Sequence, residues 1–142
     1  MQAAYNVYEE QCPTRQVLDR LADKWALLIL DRLQREPVRF NQLRRDIQGV
    51  SQKVLSQTLK RLERDGLLSR TAFATVPVTV EYALTDLGQS LVQTVSALAH
   101  WAEQHMDAVL LAQAKYDNDA AALPPDAQAI HEGRKAQNQR TD

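Results

Sequence analysis

The stretch that most limits what this chain can fold into is SQKVLSQTLKRLERDG, residues 51 to 66. Leu55, Leu59 and Leu62 recur at i, i+4 and i+7. That spacing puts them on one side of an α-helix and turns that side to a core. Both ends are marked. Ser51 is a good N-cap, because its hydroxyl can accept from a first-turn amide, and Gly66 is a common terminator. The opposite side carries Gln52, Lys53, Ser56, Gln57, Lys60 and Arg64. Such a helix is anchored along one flank and offers a cationic, amide-bearing flank to solvent.

Upstream, PTRQVLDRLA (13–22) opens with Pro13 at a first helical position and carries the apolar stripe Val17, Leu18, Leu21. KWALLILDRLQR (24–35) reads as a second helix. Trp25, Leu28, Ile29 and Leu33 share a face that Leu27 and Leu30 widen, so this helix is expected at the centre of the core. Pro37 stops it. Val38-Arg39-Phe40 reads as a short strand, and Asn41 is expected to cap a helix through Asp46 with Leu43 and Ile47 inward. Gly49 separates that helix from the basic one.

Downstream the pattern alternates. Leu67 to Thr75 and Val78 to Leu84, joined at Val76-Pro77, read as a β-hairpin. Thr85 is placed to cap a last helix whose stripe is Leu87, Leu91, Val95, Leu98, Ala102, Met106 and Val109. Running from 86 to about 115 it would be about 45 Å long, more than a small domain can cover. The fold class expected is mainly α with a small β-hairpin (α+β). Two short helices joined by a tight turn and followed by a hairpin make a winged helix-turn-helix, here with N-terminal and long C-terminal dimerisation helices. The dimerisation helix is expected to continue to about 116, with 117–142 a polar, flexible tail.

The charge is uneven. Residues 35–70 hold nine Lys/Arg against Glu36, Asp46, Glu63 and Asp65, a net +5, while the whole chain is −1 and the remainder therefore −6. A basic centre between acidic ends implies a polyanionic partner. The residue types suit double-stranded DNA. Gln52 and Gln57 can read adenine edges, Lys53 can reach guanine, and Ser51 and Ser56 can contact bases or phosphates. Arg44, Arg45, Lys60, Arg61 and Arg64 suit phosphates, which set position rather than sequence. Arg39 and Arg70, the latter at the base of an otherwise uncharged wing, complete the DNA-binding set. The plainer alternative is a solvated basic face on a winged helix that binds protein rather than DNA.

Other classes find little footing. The three histidines and one cysteine form no zinc spacing, and no glycine-rich phosphate loop exists among four glycines. No enzyme activity, metal or cofactor is expected. No apolar run approaches the roughly 20 residues of a membrane span, and the first residues lack signal-peptide character, so a cytoplasmic protein is expected. The last helix needs a partner for its surplus apolar stripe, and a second copy is the simplest one. Leu98, Trp101, His105, Met106 and Val109, with Tyr5 and Tyr8, are the expected dimer interface. Cys12 stands where the first helix begins. A helix N-terminus lowers a thiol pKa while Glu9 and Glu10 raise it, so Cys12 is either a redox-sensing thiol or an unreactive small hydrophobe.

With these residues in place the sequence resembles the HxlR-type winged-helix regulators, a bacterial transcription factor family. The resemblance is carried by Cys12-Pro13, Asp23 to Trp25, RFNQLRRDI (39–47), GVSQKVLSQTLKRLERDGLL (49–68), VPVTVEYALTDLGQSL (76–91) and Trp101. It covers roughly residues 10 to 107. The chain departs at Thr79, where the family often has arginine. The resemblance implies a homodimer that binds inverted-repeat operators and reads them with helix 51–65. It also implies control of a neighbouring gene, as repressor or activator. It implies a response to electrophiles or oxidants through a cysteine just before the first helix, which is Cys12 here. A regulator answering to a small molecule without thiol sensing is the other reading.

Overall fold

The computed structural model describes residues 5–122. Its elements run α1 (Thr14–Leu21), α2 (Lys24–Arg32), β1 (Val38–Arg39), α3 (Phe40–Asp46), α4 (Gln52–Arg64), β2 (Leu68–Phe73), β3 (Thr79–Leu84) and α5 (Asp86–Ala121). The described residues fall into two units that divide between His100 and Trp101.

In the first unit Ile29 and Leu30 of α2, Leu33 at its C-cap, Leu43 of α3, and Leu55, Leu59 and Leu62 of α4 are fully buried. Burying a leucine contributes about 1.5–3 kcal/mol, so these side chains fix where α4 lies. Thr58, buried among them, is satisfied by donating to the Val54 carbonyl at 2.8 Å. The expectation for α2 holds except at Leu28, which is exposed. A helix apolar on all sides cannot itself say which side its own chain leaves uncovered. The helix also ends at Arg32 rather than Arg35.

The hairpin is part of a larger sheet. β1 pairs antiparallel with β3 (Val38↔Tyr82, Arg39↔Glu81), giving the order β1-β3-β2. Because β1 is locked in this ladder and the chain turns directly after Arg39, α3 begins at Phe40 with Arg39 as its N-cap. Asn41 is therefore inside the first turn and not the cap expected of it.

Polar ties complete the frame. Arg20 of α1 bonds Asp65 at the C-terminus of α4 (2.7 Å), and Arg32 of α2 bonds Asp46 at the end of α3 (2.8 Å). Thr85 acts at three points. Its amide donates to Leu67 O (3.1 Å), its hydroxyl donates to Gly66 O, and the same oxygen accepts from Gly88 N (3.1 Å), capping α5 as expected. Ser96 of α5 donates to Asp31 of α2 at 2.7 Å.

The last helix continues to Ala121, past Tyr116, after which the tail was expected to begin. Asp117, Asn118 and Asp119 are polar but do not break a helix, and Ala120 and Ala121 favour one. The rest of the expected tail, from 123, lies outside the described residues. Within the second unit the Trp101 and His105 rings stack at 4.6 Å, and His105 Nδ1 lies 2.8 Å from the Trp101 carbonyl.

Candidate nucleic-acid interface

The turn between α3 and α4 is built by Ile47 and Val50, both buried, around Gly49 at φ +90°. Only glycine adopts that backbone without strain, and the Trp25 ring packs against it. Ser51 then starts α4, its Oγ accepting from Val54 N at 3.1 Å. Gly66, at φ +77°, ends the segment.

At 3.6 residues per turn, the direction opposite the leucines is occupied by Lys53, Gln57, Lys60 and Arg64. All four are exposed. No carboxylate shares that pole, because Glu63 turns toward the flank and Asp65 is tied to Arg20. Ser56, half-buried, and Arg61, exposed, stand on either side. Gln52 corrects the sequence reading. It is exposed but lies on the flank, since it sits about 100° from Lys53 around the helix. There its Oε1 accepts from Arg44 Nη1 at 3.5 Å.

Beside α4 opens a cleft of about 890 Å³, lined by Ser56 and Lys60 of α4 and by residues of α3, β1 and β3. Arg39, Arg45 and Arg70, distant in sequence, all line it with Lys60. Arg32 is there too, but Asp46 and Glu36 (3.7 Å) neutralise it. Glu81, opposite Arg39 in the ladder, adds one acid to the wall. Arg70 and the wing tip from Ala74 to Val78 are exposed.

The sequence reading missed Gln42, whose amide donates to Asp46 (2.7 Å) and accepts from Arg45 (2.6 Å). The i, i+4 and i, i+3 spacings on one short helix were the available signal.

Cys12 is 8% exposed, with Sγ 2.9 Å from Thr14 Oγ1. The Thr14 hydroxyl holds the thiol pKa below its ordinary value, against the opposing effects of burial and of the Glu9 charge. Of the residues expected at a dimer interface, Tyr5, Tyr8 and Leu98 are exposed in the first unit and Trp101, His105 and Met106 in the second, while Val109 is partly covered. Val17 and Leu18 of α1 and Leu110 and Leu111 of α5 are further exposed apolar side chains. Among the described residues no helix is long and apolar enough to cross a membrane, and no group of three or more His, Cys, Asp or Glu could hold a metal ion.

A helix-turn-helix with a core-anchored second helix, followed by a hairpin wing, defines this as a winged helix-turn-helix protein. The chain belongs to the HxlR-like helix-turn-helix family, whose model matches residues 20–109. It is 48% identical over 105 residues to YtfH of Escherichia coli, an uncharacterised HTH-type transcriptional regulator, covering 74% of this chain and 83% of that one. The solved structure of ytfH from Salmonella typhimurium superposes with a TM-score of 0.74 at 44% identity, covering 77% of this chain and 97% of the other. The redox regulator HypR in its oxidised form gives a TM-score of 0.60 at 33% identity, covering 66% and 96%.

Proposed function

We propose that this protein is a homodimeric, sequence-specific transcriptional regulator, a repressor that reads an inverted-repeat operator with α4. The observation that carries the reading is the outward pole of α4, where Lys53, Gln57, Lys60 and Arg64 stand exposed opposite fully buried leucines. A major groove about 12 Å wide admits such a helix. Gln57 and Lys53 address base edges. Lys60, Arg61, Arg64, Arg44 and Arg45 address phosphates, and Arg39 and Arg70 extend the contact toward the wing. Dimerisation through Tyr5, Tyr8, Leu98, Trp101, His105 and Met106 is supported by their exposure as apolar or aromatic groups. Two copies would set their α4 helices about 34 Å apart, one groove repeat. Cys12 acts as the sensor of oxidants or electrophiles in this reading, supported by its lowered thiol pKa.

The test is binding-site selection from random duplexes by the purified protein, with and without diamide. An inverted repeat whose two halves lie about 10 base pairs apart is expected. Lys53→Ala and Gln57→Ala should relax the preference at defined positions, and Cys12→Ser should abolish the diamide effect. Selection of no sequence, or unchanged preference in both α4 variants, refutes the assignment of the reading face.

A further inference from the structure

We infer that Gln42 is a positioning residue that holds Arg45 in place as a pre-ordered, fully charged phosphate ligand on the wall of the cleft beside α4. The inference rests on the DNA reading above and goes beyond it by assigning a role to a side chain that meets no base or phosphate itself.

The geometry is a relay across two helices. Arg32 Nε of α2 donates to Asp46 Oδ2 at 2.8 Å. Gln42 Nε2 donates to the other oxygen, Asp46 Oδ1, at 2.7 Å, and Arg45 Nη2 donates to Gln42 Oε1 at 2.6 Å. The amide cannot sit the other way round. A carboxylate only accepts and a guanidinium only donates, so a flipped Gln42 would face two like partners at once. The same two bonds from Gln42 and Arg32 hold the Asp46 carboxyl below its ordinary pKa, so it is ionised at neutral pH.

The relay differs in one respect from the two arginines of the frame that carboxylates hold. Arg20 is held by the Asp65 carboxylate and Arg32 by those of Asp46 and Glu36. Each is ordered at the expense of its charge. Arg45 is held by a neutral amide, feels the Asp46 carboxylate only through space and without an ion pair, and lines the cleft with Lys60 and Arg70. Order without neutralisation is what an anion receptor needs. A long, rotamer-rich side chain otherwise loses binding free energy to its own immobilisation.

The experiment is a double-mutant cycle on the full chain, read by fluorescence anisotropy with a labelled mixed-sequence duplex of about 30 base pairs. Its members are wild type, Gln42→Met, Arg45→Gln and the double variant. Gln42→Met, near-isosteric and helix-compatible, should weaken binding about three- to tenfold per protomer, the cost of ordering one free side chain. The slope of log affinity against log salt should stay at the wild-type value, because the charge remains. In the Arg45→Gln background the same change should do nothing. Gln42→Glu supplies a second readout. It loses the bond to Asp46 and sets two carboxylates at i, i+4, but still accepts from Arg45 and neutralises it, and should lower the slope by about 0.9 per protomer, as Arg45→Gln does. If Gln42→Met binds like wild type, or weakens both backgrounds equally, Gln42 is structural and the proposal is wrong. An unchanged slope in Gln42→Glu overturns it as well. A wild-type protein whose affinity does not depend on salt overturns the DNA reading itself, and is recognised before any variant is made.

Discussion

Lys60 and Arg20 provide a matched pair for asking whether DNA affinity comes from particular side chains or from overall charge. Each substitution to glutamine removes one positive charge per protomer. Lys60 is exposed on the pole of α4 and lines the cleft. Arg20 is spent on Asp65, the pair showing side-chain exposures of only 25% and 18%. The five phosphate-directed cations Arg44, Arg45, Lys60, Arg61 and Arg64 become ten in a dimer, for a salt slope of about −9 on B-DNA. Lys60→Gln removes two of the ten, so the slope should fall to about −7. Between about 50 and 200 mM salt, the advantage of wild type over the variant should shrink by about tenfold. Arg20→Gln should leave the slope at about −9, because its charge was already cancelled.

Its cost appears in stability instead. Asp65 sits at the C-terminal end of α4, where the helix dipole already disfavours a carboxylate, and it would lose its counter-charge. For a partly buried pair that is about 1–3 kcal/mol. The thermal midpoint should drop by roughly 5–15 °C for a domain of this size. Anisotropy titrations at several salt concentrations and circular-dichroism melts of the same samples decide the matter. Equal slope changes in the two variants would mean that a diffuse field attracts DNA and that the unpaired cations have no individual role.

Two further outcomes follow from the frame and from pH. In Gly88→Ala the new methyl would press into the Leu67 carbonyl oxygen and come within 3.2 Å of a Leu84 methyl. The helix-propensity gain of about 1 kcal/mol is smaller than the overpacking cost of about 1–3 kcal/mol, so the melting midpoint should fall, and a raised midpoint would refute the packing argument. The Asp46 carboxyl is held below its ordinary 3.8 by its bonds to Gln42 and then Arg32. The unfolded chain therefore takes up that proton first, and the contribution is complete above the unfolded value and lost as pH falls through the folded one. Asp46→Asn should flatten the acid limb of urea midpoint against pH, and an unchanged limb would remove Asp46 from the linkage.

What could be read in the chain, and what could not, divides along locality. The bounds of α4 were legible because Ser51 and Gly66 are local signals and the leucine period needs no partner. The Thr85 cap was legible for the same reason. The pairing of β1 was not, since a two-residue strand carries no pattern and its register comes from β3. The end of α5 was misplaced because polarity after Tyr116 resembles a tail while the residues remain helix-compatible. The charge of the reading face shows the division most clearly. The sequence window 35–70 counts Asp46 and Asp65 against its nine bases and arrives at +5. In the fold both carboxylates are answered by arginines from outside that window, Asp46 by Arg32 and Asp65 by Arg20. The nine bases then face Glu36 and Glu63 of the window and Glu81 brought in by β3, and Glu36 itself lies 3.7 Å from Arg32. Tertiary pairing thus makes this surface more cationic than its own sequence states. It does so with one arginine from α1 and one from α2.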